Sequence, residues 1–222
     1  MSVLKLENVE YSYDNGKTKV LENINYEFEK GKVYAVVGKS GAGKTTLLSL
    51  LSGLTVPTKG KILFEQKDVS KIDRYRYRSR FVGVVFQSYN LLPHLTAMEN
   101  VVLSMDVSGK KIGNKKAKAM ELLHKVDLSD DLAKRRILKL SGGEQQRVAI
   151  ARALSYDADI ILADEPTGNL DISTQDEIIN IFKKLAEKEN KCVIIVSHSP
   201  EVAKNVDEIY KLAPYKNEGK IS

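Results

Sequence analysis

The chain has 222 residues, 42% of them hydrophobic, with 35 Lys and Arg against 29 Asp and Glu for a formal charge of +6. That is an ordinary globular composition, long enough for one domain, or two closely packed lobes, around a buried core. Apolar runs such as Val33–Val37 fall far short of the roughly 20 residues that span a bilayer, so no membrane crossing is expected. The positive charge suits an anionic partner without choosing among nucleotide, nucleic acid and phospholipid.

No long apolar stretch follows Met1, so residues 1–10 are not expected to form a secretory leader, and the mature protein is expected to start near Met1, in the cytoplasm. The single cysteine, Cys192, heads an apolar run and is read as a packed side chain, since no redox motif accompanies it.

In chain order, residues 3–9 and 24–28 alternate apolar with polar side chains, as half-exposed antiparallel strands do, and 61–64 is expected to extend that small sheet. Val33–Val37 is apolar throughout, as a fully buried strand should be, and a helix is predicted over 45–54. Between 87 and 154 strand character fades. Residues 115–126 have helical spacing at Ala119, Leu122, Leu123 and Val126, 143–154 have it again, and 108–113 read as a surface loop. Strands resume at 160–163, 193–196 and 209–212, with a helix over 174–189. The pattern predicts an α/β protein on a largely parallel sheet, with a helical insertion. There is no internal repeat and no low-complexity tract.

The chemistry begins at Gly38-Lys39-Ser40-Gly41-Ala42-Gly43-Lys44-Thr45, which fits G-x-x-x-x-G-K-[ST] between a buried strand and an apolar helix. Glycines let backbone N–H groups turn toward phosphate oxygens, the helix N-terminus adds its positive dipole end, Lys44 reaches the β and γ phosphates, and the Thr45 hydroxyl can ligate Mg²⁺. Thr46 continues the same turn. The pattern alone leaves kinases, GTPases, recombinases and transport ATPases open, but Asn114-Lys115-Lys116-Ala117 lacks the acid with which GTPases read guanine.

A second glycine pair narrows the choice. Leu140-Ser141-Gly142-Gly143-Glu144-Gln145-Gln146-Arg147 places two glycines at a helix start, which is costly unless backbone must approach another group closely. This segment resembles the signature sequence of ATP-binding-cassette (ABC) ATPases, and other segments then fall into that family's order. Residues 160–165, ending in Asp164 and Glu165, are similar to the Walker B strand, Gln87 to the Q-loop glutamine, Gly168-Asn169-Leu170-Asp171 to the D-loop, His198 to the switch histidine, and Tyr13 to the aromatic that stacks on adenine.

The resemblance implies a P-loop NTPase fold of the ABC ATPase type, RecA-like, as a single domain over 1–222 with a core lobe at about 1–87 and 155–222 and a helical subdomain at about 88–154. It implies ATP and Mg²⁺ as cofactors, with Thr45, Gln87 and Asp164 at the metal and Glu165, His198 and Gln87 in catalysis. An Asp-Glu pair at a strand end suits this work, one carboxylate holding Mg²⁺ through water and the other orienting the attacking water. Tyr11, two residues from Tyr13, is the weaker rival for the base; His94 and His124 lack motif company and are read as structural.

In this family Ser141, Gly142 and Gly143 contact the ATP held by a second subunit, so a head-to-tail ATPase pair is implied, expected as a homodimer, together with an integral membrane permease. That would place the chain on the inner face of the plasma membrane. Exposed Tyr89 and Leu92 are the expected permease contacts. The segments around 140–147 and 163–171 are most similar to the macrolide-exporter, lipoprotein-release and bacitracin-resistance group. Ala158, Ser199 and 136–138 depart from that pattern without touching the nucleotide motifs. A cell-division or cell-wall-hydrolase regulator built of the same parts is the alternative. Residues 71–80 interleave basic and aromatic side chains, which suits a solvated face, acidic lipid or the permease; direct nucleic-acid binding is not expected, as no coiled-coil heptads accompany the run.

Overall fold

The computed structural model describes residues 2–215. The chain runs through β1 (Ser2–Tyr13), β2 (Thr18–Ile24), β3 (Glu27–Glu29), β4 (Val33–Val37), α1 (Lys44–Leu51), β5 (Lys59–Phe64) and β6 (Lys67–Asp68). Next come α2 (Arg74–Phe81), β7 (Val82–Val85), α3 (Ala97–Ser108), α4 (Lys115–Lys125), α5 (Asp130–Ala133) and α6 (Gly142–Ala153). It ends with β8 (Ile160–Asp164), α7 (Ile172–Glu189), β9 (Cys192–Ser197), α8 (Pro200–Lys204) and β10 (Glu208–Lys211). Among the described residues no helix is long and apolar enough to cross a membrane.

The strands form two sheets. One is antiparallel, in the order β2-β1-β5-β6 with β3 also on β1; the other is parallel, in the order β10-β4-β9-β8-β7. Alternation along the parallel strands sends side chains into two cores. Val33, Ala35, Ile161, Ala163, Val193 and Ile195 join α3, α4, α6 and α7 in one; Tyr34, Val36, Ile160, Leu162, Cys192, Ile194 and Val196 join α1 and β1 in the other. With both faces covered, these strands need to be apolar throughout, which is why they read as continuous runs rather than alternating ones. Cys192 is buried in the second core, and burial pushes its thiol pKa up.

Several expectations are corrected. The strand predicted over 24–28 is broken, because Asn23 turns left-handed at φ 49° and the Asn25 side chain bonds to Asn23 and to the Asn8 N–H. The helix predicted over 45–54 stops at Leu51, where Gly53 leaves it at φ 71°. Ser108 closes α3 rather than opening a loop. Nor is the run at 71–80 evenly exposed: Asp73 caps α2, Tyr77 is fully buried with its hydroxyl donating to the Leu51 carbonyl at 3.0 Å, and Arg78 reaches the Gly53 carbonyl at 2.8 Å. Tyr89, expected at the surface, is partly buried against the first core.

Gly83 marks the closest approach of β7 to the end of α6. A Cβ built there would lie 2.4 Å from the Ala153 carbonyl oxygen and 2.9 Å from Ile161 Cδ1, a clash that backbone movement alone could relieve. We expect Gly83→Ala to destabilise the fold by about 1–3 kcal/mol, read as a lower denaturation midpoint. An unchanged midpoint would mean that β7 and α6 are not in this contact.

Candidate functional site

Parallel strands β4, β8 and β9 end side by side, Val37 opposite Ser197 and Asp164 opposite Val196. The chain leaves β4 into the 38–45 loop. Gly41 and Gly43 take φ of 77° and 92°, and Gly43 is the N-cap of α1. No side chain fits at two of the glycines: a Cβ on Gly38 would lie 2.6 Å from the Leu212 carbonyl, and one on Gly43 2.8 Å from Leu21. Ala42 is buried beneath the loop, Lys39 is exposed, and the Lys44 ammonium donates to the Gly38 and Lys39 carbonyls at 2.8 and 3.2 Å. The loop therefore encloses a cation, with the free N–H groups of the α1 N-terminus behind it.

A cavity of about 340 Å³ joins this loop to the ends of the other strands. Ser40, Gly41, Gly43, Lys44, Thr45, Thr46, Gln87, Asp164 and Glu165 line it, together with Val20. Burial, then the neighbouring Glu165 charge, raises the Asp164 pKa above the usual carboxylate value, with Lys44 acting against both.

Glu165 is held from several sides. Its backbone sits at φ 44°, anchored by its N–H to the Val196 carbonyl at 2.9 Å. One carboxylate oxygen accepts the Ser197 hydroxyl at 2.8 Å and the His198 N–H at 3.3 Å, and the other lies 2.6 Å from His198 Nδ1. A carboxylate so fixed can orient a water, and the exposed imidazole beside it can present its second nitrogen to a phosphate. Tyr13, 45% exposed at the end of β1, places its hydroxyl 3.0 Å from that of Thr46 and its ring edge-on to Tyr11, which leaves Tyr13 the more accessible of the pair.

The second glycine motif lies elsewhere. Ser141, Gly142 and Gly143 line a separate cavity of about 260 Å³ with Asn169, Leu170 and Asp171, and the two cavities share no residue. Ser141 caps α6 in a reciprocal box, its hydroxyl accepting the Glu144 N–H while Glu144 accepts the Ser141 N–H at 2.7 Å. Accepting that bond leaves the hydroxyl proton of the exposed Ser141 available to another acceptor. Asp171 caps α7, and hydrogen bonds from Ser173 and Thr174 hold its carboxyl well below the usual range. His94 and His124 are exposed, His124 paired with Asp130 at 2.6 Å.

Sequence reasoning missed Val20 and Ser197. Val20 sits on the unassigned β2. Ser197 closes an apolar strand and is fully buried, and a buried hydroxyl beside a motif glutamate is the signal that would have found it.

As for Mg²⁺, the cavity offers the Thr45 hydroxyl, the Gln87 amide and the Asp164 carboxylate. Among the described residues there is no cluster of three or more His, Cys, Asp or Glu that could hold a metal ion. Such a sparse set of oxygens fits Mg²⁺, which keeps waters and phosphate oxygens among its ligands.

The ABC transporter family matches residues 21–168. The chain is 49% identical to the uncharacterized ABC transporter ATP-binding protein YclH of Bacillus subtilis, over 93% of this chain and 92% of that one. It is 41% identical to the lipoprotein-releasing system ATP-binding protein LolD of Rickettsia felis, over 95% of each. Among solved structures, a dimeric structure of the bacterial ABC transporter cassette MJ0796 superposes with a TM-score of 0.84 at 35% identity, over 98% of this chain and 100% of that one. A post-hydrolysis state of the same cassette, bound to ADP and Pi, matches equally well. A phosphate loop, a paired carboxylate and a separate signature segment on this fold, with relatives that span nearly the whole chain, show that it belongs to the ABC transporter family of ATP-binding ATPases.

Proposed function

We propose that the chain is the ATP-hydrolysing subunit of a bacterial ABC transporter that pairs head to tail with a second copy and drives a separate membrane permease. The observation that carries this reading is the division of the motifs between two cavities: the phosphate loop, Asp164 and Glu165 line one, and Ser141–Gly143 line another. A nucleotide in the first would have one face toward solvent. The exposed Ser141 hydroxyl and the N-terminus of α6 are the donors such a face needs, and a second subunit would bring them there.

The residues divide the work by their chemistry. Lys44 and the loop N–H groups hold the phosphates; Glu165, fixed by Ser197 and His198, orients and deprotonates the attacking water; His198 and the partner's signature segment meet the γ phosphate. Thr45, Gln87 and Asp164 would hold Mg²⁺, which would supply charge neutralisation there. ATP closes the pair and hydrolysis opens it, so closure is the mechanical output.

An exposed apolar stripe supports a docking site for the permease on the helical insertion. Leu103 and Val107 follow one another on α3 at helical spacing, the Tyr75 hydroxyl bonds to the Val107 carbonyl, and Leu92 is held by Asn100 one turn before Leu103. These exposed side chains, rather than the partly buried Tyr89, suit a helix from a membrane partner. The likeness to LolD, which belongs to a lipoprotein-releasing system, favours a transporter that extracts lipoprotein or lipid over a division regulator, with export of an antimicrobial peptide or antibiotic as the other transport reading.

Glu165→Gln should keep ATP affinity, lower turnover by at least about a hundredfold, and accumulate an ATP-bound dimer on size exclusion; near-normal hydrolysis would reject the role. Lys44→Ala should lose most ATP affinity in nucleotide titration. Mixed dimers of Lys44→Ala and Ser141→Ala chains should retain one working site, built from the intact phosphate loop of one chain and the intact signature segment of the other, and loss of both sites would contradict the head-to-tail arrangement.

A further inference from the structure

The loop that joins α3 to α4 borders a cavity of about 340 Å³ that shares no residue with either glycine-motif cavity. Lys110, Lys111 and Lys118 line it and make its surroundings cationic. Two of these ammonium groups are already engaged, Lys110 with the Tyr156 carbonyl and Lys118 with the Glu121 carboxylate at 2.8 Å. Lys111 is exposed and has neither a hydrogen bond nor an ion pair among the described residues. The acid that lines the cavity, Asp157, has its carboxylate taken by Lys191 at 2.6 Å.

Uncharged donors stand beside these lysines. Asn114 caps α4, its side-chain oxygen accepting the Ala117 N–H at 3.1 Å, and both Asn114 and Lys118 line the cavity. The N–H groups of Lys115 and Lys116 in that first turn have no acceptor from the chain, at the positive end of an 11-residue helix. A different element adds an independent observation. Ser155, just past the end of α6, lines the same cavity at 2% exposure, and its hydroxyl is buried without a hydrogen-bond partner. A buried hydroxyl left unpaired is destabilising, and native structures seldom keep one without a reason.

We propose that this cavity binds a phosphate-bearing anion, with Lys111 supplying charge, the first turn of α4 its free N–H groups and Ser155 its hydroxyl. The donor set decides the class. No arginine among the described residues lines the cavity to match a planar carboxylate with a fork; ammonium, backbone amide and hydroxyl donors come from three separate segments, which suits a tetrahedral anion. A free phosphate and the phosphate of a lipid headgroup share that chemistry.

Gly113 offers a variant that leaves the donors in place. A Cβ there meets nothing within 4 Å and the backbone is not left-handed, so Gly113→Glu adds a carboxylate at the cavity wall without strain. Ser155→Ala removes the buried hydroxyl alone. The full chain is loaded with Mg²⁺ and ADP, so that the phosphate loop is filled, and inorganic phosphate is titrated at constant ionic strength with amide NMR as the readout. The amides of residues 111–116 and of Ser155 should shift saturably, and each variant should weaken the apparent Kd by about tenfold, the loss expected when a hydrogen bond or charge contact to an anion is removed. Without phosphate, Ser155→Ala should melt no lower than the parent chain, since its hydroxyl has no partner to lose; a clearly lower midpoint would overturn the role given to Ser155. Flotation tells the sources apart. Binding to phosphatidylglycerol but not phosphatidylcholine vesicles that Gly113→Glu abolishes identifies a lipid headgroup, whereas a phosphate response with flotation unchanged by the variant identifies the free anion. Shifts that do not saturate, that spread over exposed lysines across the surface or that survive in Gly113→Glu overturn the proposal, as does a chain that responds to neither probe.

Discussion

The parallel register of β4, β9 and β8 is the constraint on which the site depends. Because Val37 lies opposite Ser197 and Val196 opposite Asp164, three chain segments leave the sheet at one edge within hydrogen-bond reach of each other. Each exit then has a chemical character fixed by sequence: a glycine loop ending in Lys44, a carboxylate pair, and a hydroxyl followed by an imidazole. A shift of one residue in either pairing would turn Asp164 or Ser197 to the opposite face of the sheet. The two cores prevent that shift, since alternate side chains of every one of these strands are already committed to opposite sides. Packing far from the nucleotide cavity thus fixes the spacing of groups inside it.

Legibility followed from how local each feature is. The phosphate loop, the paired carboxylates and the signature segment are contiguous strings whose chemistry depends on neighbours in sequence, so they could be read without coordinates. The buried strands could be read because both faces are covered. β2 could not: in Thr18–Ile24 the charges Lys19 and Glu22 and the apolar Val20 and Leu21 follow no strand alternation, and the segment owes its strand state to pairing with β1. Residues 97–108 also passed unread, although Thr96 and Glu99 form a capping box that was there to be found. Long-range pairs were beyond reach altogether. Nothing local to Ser197 says that it bonds to Glu165, and nothing local to Arg152 says that it reaches Tyr89, because each contact is made by topology rather than by spacing.

Strain is distributed unequally between the two loops that leave the sheet toward the nucleotide. Glu165 is left-handed at φ 44°, but its N–H is tied to β9 and both carboxylate oxygens are bonded to the residues that end β9. These restraints come from β9 and the residue after it, and the Gly168 N–H adds one to the Glu165 carbonyl at 3.1 Å. Tyr89 is also left-handed, beside an Asn90 that tolerates that conformation, and hydrogen bonds to both carbonyls come from Arg152 on α6 of the helical insertion. A residue fixed from its own lobe keeps its geometry when lobes move, whereas one fixed from another lobe moves with it. The hydrogen bonds thus tie Glu165 to the parallel sheet, fixed relative to the strand beside the phosphate loop, and the 87–90 loop to α6.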